Sequence, residues 1–376
     1  MLQTLKAPLN EDLDRLFQEY SISPKSKLVT QLTLNFDLNE NFYFNHYFRD
    51  QIESLHLTTF WVSVVNEEGN LIRLYQRNTE YLHPPQIANI SKIFSTLLFV
   101  DRGDKYYTQY CNKKVKDELL LERGYEKCAS TSAWIDTRRV FTSNKMLPFY
   151  DAFIKYKEQD RKGNNIYYRP IYKNKIEALY LNLSLTPLEN NEPRVSLGTG
   201  KLEMTPLELQ TSLHKITQLI YNPNHIFHGL KLIKSFKYHN IKDSIIDKEV
   251  KVHSFDSPEQ LSPTFQNFFT KDKRIALQTI FKTPIYKSYG SLQWLRNYLN
   301  VKFVFAQESH KGANHWLVGA FKKSGKYYSF TIYLEDQDLS KNEVKQHFKK
   351  ILNSTIKSIT KSREMKFEYM KRVFRD

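Results

Sequence analysis

Glu308, His310 and His315 hold the most chemically capable spacing in the chain. They lie in Gln307-Glu308-Ser309-His310-Lys311-Gly312-Ala313-Asn314-His315-Trp316, an acid and two imidazoles within eight residues. Carboxylate oxygen and imidazole nitrogen together suit a hard or borderline divalent ion, with the carboxylate offsetting the metal's charge. A divalent metal, manganese or magnesium, is therefore the expected cofactor. The alternative is that His315 caps a strand and the loop around it is merely solvated.

The elements that must position these residues are strands. Val301 to Gln307, His315 to Phe321 and Lys326 to Leu334 alternate apolar and polar residues, and Lys311-Gly312-Ala313-Asn314 and Ser324-Gly325 between them are turn chemistries. The reading is an antiparallel meander over 300–336, with Glu308, His310 and His315 at its first bend. Ser340-Lys341-Asn342-Glu343 then has the form of a capping box. It opens a long C-terminal helix with Val344, Phe348, Ile351, Thr355 and Ile359 as its apolar stripe and a lysine-rich opposite face. Tyr369, in Glu368-Tyr369-Met370-Lys371-Arg372, falls on the same helix in this reading. Its basic neighbours Lys371 and Arg372 would stabilise phosphate charge and lower the phenol's effective pKa.

An apolar strand into Glu-x-His, a glycine-containing turn, then His and another apolar strand resembles the metal-binding motif of HUH-type rolling-circle replication initiators. The resemblance covers residues 300–372. It implies Glu308 and His315 as metal ligands with His310 beside them, and Tyr369 as the nucleophile that cleaves single-stranded DNA and keeps a 5′-phosphotyrosine. The chain departs from the family at two points. Leu317 stands where the motif has its second histidine, and Arg372 where the tyrosine motif usually has lysine.

Three further arrangements compete. Cys128 with His315, the latter in Asn314-His315-Trp316 ahead of Asp336, is similar to the nucleophile and base of papain-like cysteine peptidases. A buried structural cysteine is the plainer account of Cys128. Glu249-Val250-Lys251, with Asp243 upstream, has the form of a metal-dependent nuclease triplet, a spacing common by chance. Gly198-Thr199-Gly200-Lys201 lacks the full phosphate-loop spacing and reads as a turn.

Lysine and tyrosine interleave at Tyr167, Tyr168, Arg169, Tyr172 and Lys173, and again at Lys322, Lys323, Lys326, Tyr327 and Tyr328. Phosphate contacts from the bases and stacking from the rings is the logic of single-strand binding. An aromatic core with snorkelling lysines is the alternative. The formal charge of +16 supports a polyanionic partner. Single-stranded DNA is accordingly the expected partner, and a nucleic-acid-binding protein of plasmid, phage or mobile-element type the expected function. A non-enzymatic nucleic-acid or host-interaction factor is the second choice.

With 376 residues the chain has length for a real core. The expected class is α+β, with antiparallel sheets backed by helices and a long basic C-terminal helix. Two parts are expected, 1–160 and 165–376, joined at the polar stretch Gln159-Asp160-Arg161-Lys162-Gly163-Asn164-Asn165. Two cysteines are too few for a disulfide framework. No long apolar stretch of a secretory signal or a membrane span is present, so a reducing cytoplasm is the expected compartment.

Overall fold

The computed structural model describes residues 13, 16–17, 27–34, 43–49, 53–78, 85–102, 107–109, 134–142, 157–159, 165–167, 179, 204–222, 230, 232–240, 248–251 and 263–360. In chain order the strands are β1 (Lys27–Leu34), β2 (Thr59–Asn66), β3 (Leu71–Arg77), β4 (Tyr107–Gln109), β5 (Trp134–Asp136), β6 (Lys157–Gln159), β7 (Asn165–Tyr167), β8 (Ile233–Asn240), β9 (Lys248–Lys251), β10 (Lys302–Lys311), β11 (Asn314–Lys323) and β12 (Lys326–Glu335). The helices used below are α1 (Ser91–Arg102), α2 (Thr137–Thr142), α3 (Pro206–Tyr221), α4 (Lys271–Phe281), α5 (Thr283–Tyr286) and α6 (Lys341–Thr360).

The main sheet has five antiparallel strands in the order β10-β11-β12-β2-β3. The α+β class with an antiparallel sheet and helices is as the sequence predicts. The expected meander is there as β10, β11 and β12, and β2 and β3 form a second hairpin. What joins them is the β12–β2 pairing, in which Ile332 faces Val62 and Tyr333 faces Trp61. One sheet therefore draws strands from both sides of the predicted boundary near residue 160. A three-stranded sheet, β1-β8-β9, does the same.

Both faces of the main sheet are covered, which explains why Phe60-Trp61-Val62-Ser63-Val64-Val65 is apolar almost without interruption. Trp61 and Val65 join the cluster beneath α1, α3 and α4, whereas Phe60, Val62 and Val64 join the cluster beneath α6 and the helical residues 43–49. On the first face a polar chain crosses the core. Trp61 Nε1 donates to Ser63 Oγ at 2.9 Å, Ser63 Oγ to Gln210 Oε1 at 3.0 Å, and Gln210 Nε2 to Ser329 Oγ at 2.8 Å. These bonds register α3 across β2 and β12 while satisfying each buried group.

Caps fix where the two longest helices begin. Thr205 and Glu208 form the reciprocal capping box of α3, with Pro206 at its first position. Ser340 and Glu343 do the same for α6, where Glu343 N donates to Ser340 Oγ at 3.3 Å and Ser340 N to Glu343 Oε2 at 2.9 Å. Val344, Phe348, Ile351, Leu352 and Ile356 then bury the stripe of α6.

Two helical stretches are broken by the backbone. Ala88 sits at φ +42° and residues 88–90 form a 3-10 turn ahead of α1. Gln293–Leu295 and Tyr298–Asn300 are 3-10 turns, interrupted by positive φ at Asn297 and Leu299. No helix among the described residues is long and apolar enough to cross a membrane.

Candidate functional site

The residues with the most unusual environments lie where the start of α1 meets the edge strand β10. Ala88 is left-handed, which is costly for a residue with a Cβ and persists only where neighbours enforce it. The next residue, Asn89, turns its main-chain N–H onto Ser309 Oγ of β10 at 3.0 Å. Gln86, just before, accepts from Trp316 Nε1 through its carbonyl at 3.0 Å and from Lys311 Nζ through its side chain. Three contacts thus stitch the entrance of α1 to the first hairpin of the meander. The N–H of a helix's first turn has no partner within its own helix, and the Ser309 hydroxyl supplies the acceptor for this one.

Lys92 lies three residues after Asn89 and is fully buried. Spacing of three places the two on one side of the helix start. Its Nζ reaches the Val140 carbonyl of α2 at 3.5 Å. Burial strips water from the ammonium and brings its pKa down to about 7. A lysine held near neutrality can give or take a proton at physiological pH. Asn89, Lys92 and Ser309 escape a motif reading of the sequence. The signal that marks the place is a lone lysine in the first turn of α1, directly ahead of Ile93 and Phe94.

The predicted metal residues lie on the other face of the same strands. Alternation along β10 sends Ser309 and Lys311 toward α1, and Glu308 and His310 toward α6. His310 and His315 are paired in register across the hairpin. Their Nδ1 atoms stand 3.3 Å apart, and the His310 ring lies 6.2 Å from that of Phe348 on α6. His315 Nε2 is 3.0 Å from the carbonyl oxygen of Asp336, an acceptor, so that nitrogen carries the ring's proton. Burial holds the His315 pKa below the usual histidine range. The Glu308 carboxylate approaches the far side of His310, with Oε2 3.7 Å from Nε2. The hairpin brings the two imidazoles together, therefore, but not all three residues around one point. No three histidine, cysteine, aspartate or glutamate side chains among the described residues cluster in that way.

The predicted nucleic-acid residues of the meander sit at the opposite end of the sheet, around the β11–β12 turn. Lys326 pairs with Glu68 at 3.1 Å, Lys322 lies over the Tyr327 ring at 4.8 Å, and Lys323 Nζ is 3.4 Å from the Asn300 carbonyl. Tyr328 stacks on Phe321. Each of these lysines has a partner within the chain, and the ring is part of the packing. Tyr168, Arg169, Lys173, Tyr369, Lys371, Arg372 and Cys128 lie outside the described residues.

Neither a protein-family model nor a curated protein matches the chain. Solved structures do. A peptidoglycan glycosyltransferase from Burkholderia ambifaria superposes with a TM-score of 0.54 at 12% identity, over 88% of this chain and 98% of that one. The TP domain of penicillin-binding protein 3 from Burkholderia pseudomallei gives a TM-score of 0.54 at 12% identity, over 87% and 96%. The penicillin-binding protein PonA1 from Mycobacterium tuberculosis gives 0.54 at 8% identity, over 93% and 89%. At these identities the likeness is one of fold, and it runs through nearly the whole chain.

That likeness corrects several expectations. The resemblance of residues 300–372 to HUH-type initiators rested on a short local spacing, whereas the fold around it is that of penicillin-binding proteins. With it go the nicking of single-stranded DNA, the plasmid, phage and replication assignment, and single-stranded DNA as partner. The non-enzymatic nucleic-acid or host-interaction factor and the papain-like hydrolase match these neighbours no better. The physical reason is visible in the sheet. Glu308 and His310 stand where the β10–β11 hairpin ends near solvent, a place that admits polar residues on structural grounds alone, and lysine-rich turns need no polyanion when carboxylates and rings of the same chain engage them.

Proposed function

We propose that the chain is a cell-wall protein of the penicillin-binding-protein fold that acts by binding and not by serine acyl transfer. The observation that carries this reading is Asn89, three residues before the buried Lys92 at the start of α1, with its N–H held by Ser309. Penicillin-binding proteins carry the signatures S-x-x-K, S-D-N and K-T-G, with the serine as nucleophile. The nearest form of the first signature at a helix start in this chain is Asn89-Ile90-Ser91-Lys92, with asparagine where the signature has its serine. A carboxamide has no hydroxyl to deprotonate, so the lysine has no nucleophile to activate at that position.

The remaining signatures support the same reading. The sequence contains neither S-D-N nor K-T-G. The nearest form of the latter, Lys323-Ser324-Gly325, is the β11–β12 turn, at the far end of the sheet from Ser309. S-x-x-K does occur at Ser212-Leu213-His214-Lys215, but inside α3, more than a turn beyond its cap, where the main-chain N–H groups are spent on the helix. Ser354 and Ser358 begin two further matches near the end of α6, and the Ser358 hydroxyl is engaged with Arg73 and Thr355.

Co-sedimentation of the chain with purified peptidoglycan tests the cell-wall half of the proposal. Retention in the pellet at high ionic strength, unaffected by excess penicillin, is expected. A chain that stays in the supernatant, or that is released by salt alone as a basic protein leaving a polyanion, overturns it.

A further inference from the structure

We propose that His310 Nδ1 and His315 Nδ1 together bind one borderline divalent cation of the zinc, copper or nickel kind, with water filling its remaining positions. This site is on the α6 face of the sheet and does not depend on the cell-wall reading.

The separation of the two nitrogens, 3.3 Å, is the first argument. Two imidazole nitrogens each about 2.0–2.1 Å from a tetrahedral ion stand about 3.3–3.4 Å apart. A nitrogen-to-nitrogen hydrogen bond prefers a shorter approach. The outer contacts are the second argument. His315 donates its Nε2–H to the Asp336 carbonyl, and His310 turns Nε2 toward the Glu308 carboxylate at 3.7 Å. A carbonyl or a carboxylate on the outer nitrogen fixes the tautomer that leaves the inner lone pair free, the arrangement found around metal-bound histidines. On His315 the bond to the Asp336 carbonyl does this, leaving Nδ1 as the acceptor 3.3 Å from His310 Nδ1, and a bound ion would hold His310 in the matching tautomer.

Charge supplies the third. The Glu308 carboxylate beside one ring and Asp336 near the other offset a divalent ion's charge. Two nitrogen donors favour the later first-row ions over magnesium or manganese, which prefer oxygen. The register of β10 against β11 holds the rings in place, with His310 directly opposite His315 across a bend whose Gly312 takes a φ of +56°. His310 is partly exposed, which leaves a path for the ion.

Titration calorimetry with zinc chloride on the full chain, together with pulsed EPR on the copper-loaded chain, tests the site. One zinc should bind. His310→Ala and His315→Ala should each weaken it at least about ten-fold, and Glu308→Gln should weaken it less. His347→Ala on α6 should leave it unchanged. Copper should show two coupled imidazoles in the wild type and one in His310→Ala. Thermal melting of the metal-free variants checks that each is folded, and His310→Ala, which removes the more exposed ring, keeps the test open if His315→Ala is not. Affinity unchanged in His310→Ala, equal loss in His347→Ala, or fewer than two imidazoles on copper overturns the proposal.

Discussion

The main-chain N–H of Asn89 donates to the Ser309 hydroxyl at 3.0 Å, tying the start of α1 to the edge strand β10. A buried N–H deprived of its acceptor costs about 1–3 kcal/mol. Ser309→Ala should therefore lower the urea-derived stability by that amount. Ser309→Thr, which keeps the hydroxyl, should lose less.

Lys92 makes stability depend on pH in a predictable direction. Its pKa is about 7 in the folded chain against an ordinary 10.5. Between those values the unfolded chain binds the extra proton, so stability rises as pH goes up through that window and is reduced below it. The penalty near neutrality is on the order of 4 kcal/mol or slightly more. Lys92→Met, apolar and similar in length, should raise the melting temperature at pH 7 and flatten the rise between pH 7 and 10. Denaturant unfolding of both proteins across that range checks the sign.

Gly319 of β11 lies directly against β10. A Cβ there would stand 2.5 Å from the Phe305 carbonyl oxygen and 3.0 Å from Ala306 Cα, both backbone atoms that cannot swing aside. Gly319→Ala should destabilise the sheet by about 1–3 kcal/mol or more. A smaller loss would mean that the edge strand gives way.

Arg73 reaches from β3 to the end of α6. It donates to Ser358 Oγ at 3.1 Å and to the Ser358 carbonyl at 2.9 Å, while a third donor reaches the Ile72 carbonyl at 2.7 Å. Helix-terminal carbonyls lack partners within their own helix, and the guanidinium serves as one. Arg73→Ala should speed amide hydrogen exchange in the last turn of α6 more than in its first, and Arg73→Lys should not restore it, because lysine lacks the planar fork.

The five-stranded sheet was half legible in the sequence. Alternation and turn residues mark β2, β3 and β10 to β12, because each strand's pattern is local. The β12–β2 pairing joins strands more than 250 residues apart and has no local trace. The caps at Thr205 and Ser340 are legible because a capping box is a four-residue event. The site was less so. Glu308, His310 and His315 stand out by residue type, but which face of β10 each occupies depends on register, and the residues facing α1 are a serine and a lysine of ordinary appearance. Asn89 is conspicuous only once Lys92 is seen buried beside it, and burial of a single lysine in an apolar helix is a property of the packed chain.

Intact-mass spectrometry of the chain after prolonged exposure to penicillin shows whether a serine is acylated. With Asn89 in place of a hydroxyl nucleophile the mass should be unchanged. A covalent adduct of one penicillin, mapped by peptide digestion to any serine at the α1–β10 junction, would contradict it.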